Sequence, residues 1–175
     1  MRTKQTIIVI GVKGRIGTEI AKGLSKGNYK LLLNDKSSDQ VSNVLNEILE
    51  ANPFADAEII DCSFEGCWEA DIIILAIPVR AEEEVAKKIK DVANQKIVVS
   101  ISDLPRENQT SLGDCEMTAG KALQKLLPHS KVIKAFYTVK REMLITSDDK
   151  DALENIIELL QMANLHPIKT TENFN

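Results

Sequence analysis

Short, strongly apolar runs recur along the chain at Thr6–Ile10, Lys30–Leu33, Ala57–Ile60, Ala70–Ile77, Lys96–Ile101, Lys131–Phe136, Met143–Ile145 and His166–Ile168. Their lengths predict strands. Several, such as Ile-Ile-Val-Ile and Ile-Ile-Ile-Leu, are apolar at every position rather than at alternate ones. A strand covered on both faces requires that pattern, which is the mark of a parallel sheet flanked by helices. Between the runs, apolar residues return at helical spacing: Ile16, Ile20, Ala21 and Leu24; Ala81, Val85, Ile89 and Val92; Leu153, Ile156, Ile157 and Leu160. Strand and helix alternating through short connections predict one doubly wound α/β domain over residues 1–175, a mostly parallel sheet of the Rossmann type. The least regular stretch, Ser102 to Cys115, lies beside the carboxyl ends of the strands and leads to a helix expected near Asp114. A loop of that length in that place is expected to be functional.

The first predicted strand ends at Ile10, and Gly11-Val12-Lys13-Gly14-Arg15-Ile16-Gly17 runs directly into the first helical stripe. This G-x-x-G-x-x-G is a spaced variant of the dinucleotide fingerprint. Gly11 would permit the tight turn, Gly14 would admit the pyrophosphate to the backbone, and Gly17 would let helix and strand approach. The phosphates would then sit on the positive end of a helix. The second strand is followed by Asn34-Asp35-Lys36, and Asp35 falls near the ~20-residue spacing of a ribose-binding acid. A carboxylate there repels a 2'-phosphate and favours NAD, whereas Lys36, with Lys13 or Arg15, would draw that phosphate in and favour NADP. The fourth strand ends in Ala76-Ile77-Pro78, small and apolar enough for a flat ring to lie against, although Pro78 also suits a plain turn into the next helix.

Composition narrows the partners. With 22 basic and 26 acidic residues the formal net charge is -4, which gives no positive field for nucleic acid. The longest apolar stretch, Ile72–Ile77, is far below the ~20 residues of a membrane span. No secretory leader is evident at Met1–Thr6. Cys62, Cys67 and Cys115 form neither an even disulfide framework nor, with no histidine nearby, a zinc site. The expectation is a cytoplasmic protein without metal whose partner is a small redox molecule.

The glycine turn, the strand Ala70–Pro78, the run Lys96–Ser100 and the segment Leu126–Thr138, which ends in Phe136-Tyr137-Thr138, together resemble the NADP oxidoreductases that use the deazaflavin coenzyme F420. The resemblance implies hydride transfer between NADP(H) and a second, flat partner, a flavin or deazaflavin, bound across the switch point. It places Gly11, Gly14, Arg15, Ile16 and Gly17 at the pyrophosphate and Asp35 and Lys36 at the 2'-phosphate. Ala76, Ile77 and Pro78 would lie along the nicotinamide, with Tyr137 and Thr138 near it or the second ligand. It also implies a homodimer. Two residues depart from the pattern: Asp35 stands where a hydroxyl tolerant of phosphate is usual, and Tyr137 where a small amide or imidazole is usual. The chain is also expected to lack the helical tail with which members continue.

Hydride transfer between two cofactors asks little acid or base chemistry of the protein, since holding the rings together supplies most of the effect. No dedicated catalytic residue is required. His129 and His166 lie away from the carboxyl ends of the strands and read as loop or surface residues. Tyr137 is a candidate proton donor if the second substrate is a carbonyl or imine. Ser102 and Asp103 follow the fifth run and face the crevice, where a hydrogen bond to the nicotinamide ribose is one use and a turn is another. Trp68 and Phe64, beside Cys67, are expected to pack onto the sheet rather than stack on adenine. Two other functions compete: an NAD(P)-binding sensor or subunit without turnover, and the nucleotide domain of a prephenate-dehydrogenase-like enzyme. The second calls for a helical partner domain and a histidine after the fourth strand, and neither is expected here.

Overall fold

The first apolar run becomes strand β1, Gln5–Ile10, in which Ile7, Ile8 and Val9 have no exposed surface. Its place in the sheet explains its composition. β2 (Tyr29–Asn34) and β4 (Ile72–Leu75) lie on either side of it, both parallel to it, and helices cover both faces. β3 (Asp56–Ile59) extends the sheet beyond β2. Beyond β4 come β5 (Ile97–Asp103), β6 (Lys131–Tyr137), β7 (Glu142–Thr146) and β8 (His166–Lys169), giving the order β3-β2-β1-β4-β5-β6-β7-β8. β6 and β7 pair antiparallel and the other neighbours pair parallel. This is the doubly wound, mostly parallel sheet the sequence predicts. The computed structural model describes residues 4–103, 114–138 and 142–170.

Helices α1 (Arg15–Leu24), α2 (Ser38–Ala51) and α6 (Lys150–Met162) pack on one face. Helices α3 (Ser63–Glu69), α4 (Val79–Ile89) and α5 (Asp114–Leu126) pack on the other. The stripes of α1 and α6 are buried as expected: Ile20, Ala21, Leu24, Ile156 and Leu160 have no exposed surface. Each large side chain so removed from water contributes about 1.5–3 kcal/mol.

Several local expectations are corrected. α4 is turned relative to the predicted Ala81, Val85, Ile89 and Val92 stripe: its fully buried line runs through Glu82, Ala86 and Ile89 to Ala93. An acidic side chain therefore occupies a core position. The segment before β4 is a helix, α3, and it turns Gly66 and Cys67 to the sheet while Trp68 stays 71% exposed and Phe64 39% exposed. A Cβ on Gly66 would come within 3.1 Å of the Ile60 side chain, so the close approach leaves no room for the aromatic rings. β5 runs on to Asp103, which puts Ser102 in the strand rather than in a loop. Residues 104–113 of the expected functional loop, and the Cys115 side chain, lie outside the described residues.

Sheet order fixes where a ligand can lie. From β1 the chain builds outward through β2 to β3, then returns to the other side of β1 with β4. The crevice between the two halves opens at the carboxyl ends of β1 and β4, where the glycine turn and Ala76-Ile77-Pro78 are found.

Candidate active site

The glycine turn is built by three different requirements. Gly11 has φ +86°, and a Cβ there would lie 2.8 Å from the Ile77 side chain as well as against the Ala76 carbonyl. Gly17 lies so close beneath the turn that a Cβ would fall 2.9 Å from the Val12 Cα. Gly14 is different: a Cβ there would meet nothing nearer than the Gly11 carbonyl oxygen at 3.4 Å, an ordinary contact. Among the described residues nothing requires a glycine at position 14. The turn is anchored by the Gly11 and Val12 amides, which donate to the Asn34 carbonyl at 2.9 and 3.2 Å.

Gly14 is the N-cap of α1, with no side-chain cap and no acidic residue in the first turn. A helix begun this way leaves its first amide hydrogens without intrahelical partners and its positive end without a counter-charge. Ile16 and Gly17 are themselves buried, so they can offer a ligand only their backbone. Beside this end lies a cleft of 580 Å³ lined by Gly11, Lys13, Gly14, Asn34, Asp35, Lys36, Ala76, Ile77 and Pro78, with Gln40, Arg80, Lys88 and the acids Asp61 and Glu84 also on its walls. Nine residues singled out in the sequence thus share one cleft. Arg80 and Gln40 carry no spacing signal, and Lys88 only that of an i,i+4 pair with Glu84 on a solvated helix face; they enter the cleft through the fold.

Within the cleft Asp35 is turned inward. Its carboxylate accepts from the Lys36 amide at 2.8 Å and from the Lys13 amide at 3.3 Å, and the Lys13 ammonium stands 3.7 Å away. Its side chain is only 8% exposed. Asn34 is likewise engaged, donating to the Ile60 carbonyl at 2.7 Å and so tying the end of β2 to the end of β3. Asp35 and Asn34 brace the rim.

Arg15 leaves this cleft for the other half of the crevice. Its guanidinium pairs with Asp103 at the end of β5 at 2.7 Å and covers the Tyr137 ring at 5.0 Å. Of the cations weighed for the 2'-phosphate, Lys13 and Lys36 stay by Asp35. Tyr137 is 3% exposed, and its hydroxyl donates to Glu19 at 2.8 Å. Thr138 is also buried, its amide donating to the Glu142 carbonyl at 2.9 Å. His129 and His166 are exposed, the first in the turn before β6 and the second at the start of β8.

The sequence reading missed a cluster beneath β5 and β6. Lys134 has no exposed surface, yet its ammonium lies 3.0 Å from Glu82, 2.5 Å from the Ser100 hydroxyl and 3.2 Å from the Ser102 hydroxyl. Burial lowers the pKa of this lysine, and the Glu82 carboxylate opposes that shift. One signal was available, a lysine inside the otherwise apolar run Val132–Phe136.

Comparison with known proteins bears on the family and the fold. The F420-dependent NADP reductase of Methanocaldococcus jannaschii is 26% identical over 176 residues, covering 87% of this chain and 77% of that protein. A solved Arthrobacter sp. FB24 protein proposed to be an F420-dependent NADP reductase superposes with a TM-score of 0.73 at 13% identity, over 98% of this chain and 86% of its own. Pyrroline-5-carboxylate reductase of Coxiella burnetii gives the same TM-score at 17% identity, over 97% of this chain and 60% of its own. These two structural likenesses speak for the fold. Residues 6–103, more than half of the sequence, match the family described as NADP oxidoreductase, coenzyme F420-dependent; the chain belongs to that family and is an NAD(P)-dependent oxidoreductase.

Proposed function

We propose that the protein binds NADPH across the carboxyl edge of the sheet and exchanges a hydride with a deazaflavin of the coenzyme F420 type. The observation that carries the cofactor half is the uncapped, acid-free start of α1, where Gly14 lines the cleft and a Cβ would make only an ordinary contact with the described residues. A diphosphate fits that end in both charge and clearance. In this reading the amides of Arg15, Ile16 and Gly17 hold the pyrophosphate, and Gly11 shapes the turn. Lys13 and Lys36 receive the 2'-phosphate, because the Asp35 charge is already answered by two amides and the Lys13 ammonium. Ala76, Ile77 and Pro78 flank the nicotinamide. Ser102 and Thr138, at the ends of β5 and β6, border the second half of the crevice, with Tyr137 held under Arg15.

The nicotinamide supplies the hydride when bound, and the protein's task is to hold donor and acceptor rings about 3–3.5 Å apart. No acid or base is assigned. The deazaflavin is supported by the family and by the Methanocaldococcus jannaschii relative. A homodimer and a cytoplasmic location belong to the same reading, and sedimentation of the purified chain tests the first. For the reaction, NADPH absorbance is followed with a deazaflavin, FMN, FAD and a cyclic imine in parallel. Oxidation is expected with the deazaflavin. Tight NADPH binding without oxidation by any acceptor would contradict the enzyme reading and favour a sensor.

A further inference from the structure

Lys134 occupies a place where a lysine is costly. It lies in the middle of β6, opposite Ser100 of β5, with no exposed surface and with the Phe136 ring 5.5 Å from its ammonium. Glu82, 4% exposed, reaches it from the first turns of α4. Replacing a buried ion pair of this kind with apolar residues is often neutral or stabilising, so stability alone gives weak reason to keep one.

The hydrogens show what the cluster can do. An ammonium has three N–H donors and no acceptor, and here the acceptors in reach are Glu82, Ser100 and Ser102. The Ser100 hydroxyl spends its own hydrogen on Glu82. Ser102 receives the third ammonium hydrogen, and among the described residues no group accepts the hydrogen of its hydroxyl. Ser102 is also the partly exposed member of the set, adjoining Asp103 at the carboxyl end of β5. The arrangement leaves a hydroxyl with its lone pair engaged from within and its hydrogen available from without. The end of β5 lies on the side of the switch point away from β2, where the second half of a dinucleotide passes.

We propose that Ser102 donates a hydrogen bond to an oxygen on the nicotinamide half of NADPH, and that Lys134, neutralised by Glu82, is the positioning residue that fixes the hydroxyl as a donor. This rests on the cofactor reading above. Charge polarises the hydroxyl and raises the worth of the bond it makes.

The test compares full-length variants by calorimetry with two probes, NADPH and 2',5'-ADP, the second of which lacks the nicotinamide half. Ser102→Ala is expected to weaken NADPH about tenfold and leave 2',5'-ADP unchanged, while Ser102→Thr keeps the wild-type affinity. Lys134→Met alone would strand Glu82, so it is paired with Glu82→Gln. That pair is expected to weaken NADPH several-fold, and adding Ser102→Ala to it should cost less than in the wild type, because the hydroxyl has already lost its anchor. Equal loss of both probes, no loss of either, or a full additive effect in the triple variant would overturn the inference while leaving the cofactor reading intact. Wild-type protein that binds neither probe would overturn both.

Discussion

At the scale of single residues, the three glycines of the turn make separable predictions. Gly17→Ala forces a methyl group into the backbone of Val12, and a loss of about 1–3 kcal/mol in urea unfolding is expected. Gly14→Ala meets no such obstacle and should unfold within about 0.5 kcal/mol of the wild type. A Gly14→Ala protein as unstable as Gly17→Ala would mean that the turn is a steric device alone. Lys36 bears on cofactor choice. With Asp35 bound to the Lys13 and Lys36 amides, Lys36 offers an exposed cation at this rim, and Lys36→Ala should cost NADPH about tenfold in affinity and NADH little. Equal losses for the two cofactors would place the 2'-phosphate elsewhere.

At the scale of elements, α1 and α6 begin in opposite ways. Asp149 caps α6 by accepting from the Ala152 amide at 2.8 Å, and Lys131 stands 3.5 Å from its carboxylate. α1 has neither cap nor acid. Asp149→Ala should therefore cost about 1 kcal/mol of stability and leave the NADPH titration unchanged, since α6 plays no part in the cleft. A changed NADPH affinity would show coupling from α6 through Gly23, which packs on Ala163. The contrast also shows why some elements are legible in sequence. β1, β2, β4 and α1 carry signals that depend only on their own residues, namely continuous apolar runs and a glycine spacing. The stripe of α2, Val41, Val44 and Ile48, stands at helical spacing too and is buried. The facing of α4 differs from the predicted stripe because periodicity weighs Val85 above Glu82, while the lysine arriving from β6 and the Ser100 hydroxyl of β5, both far along the chain, make burial of that carboxylate tolerable. The bonds of Asp35, the turn of Arg15 towards Asp103 and the Lys134 cluster all join residues distant in sequence, where local pattern is silent.

For the whole molecule, the sheet sets both the chemistry and its limits. Helices on both faces close the core, and the crevice at the carboxyl ends is the surface on which function is read. The core has a pH signature of its own. Burial pushes the Cys67 thiol up to about 12 from its usual 9.0. The unfolded thiol ionises first, so the stability associated with keeping it protonated is fully present below pH 9 and is lost as pH rises towards 12, at up to about 1.4 kcal/mol per pH unit. Wild-type protein should lose more stability between pH 8 and pH 10.5 in urea unfolding than Cys67→Ala does; equal slopes would contradict this. The account turns most directly on the interaction of NADPH with the start of α1, measured by isothermal titration calorimetry of wild-type protein and Gly14→Val at matched folded content. Saturable heat from the wild type and none from the variant is the expected result. A variant that titrates like the wild type, or a wild type that gives no heat, would contradict it.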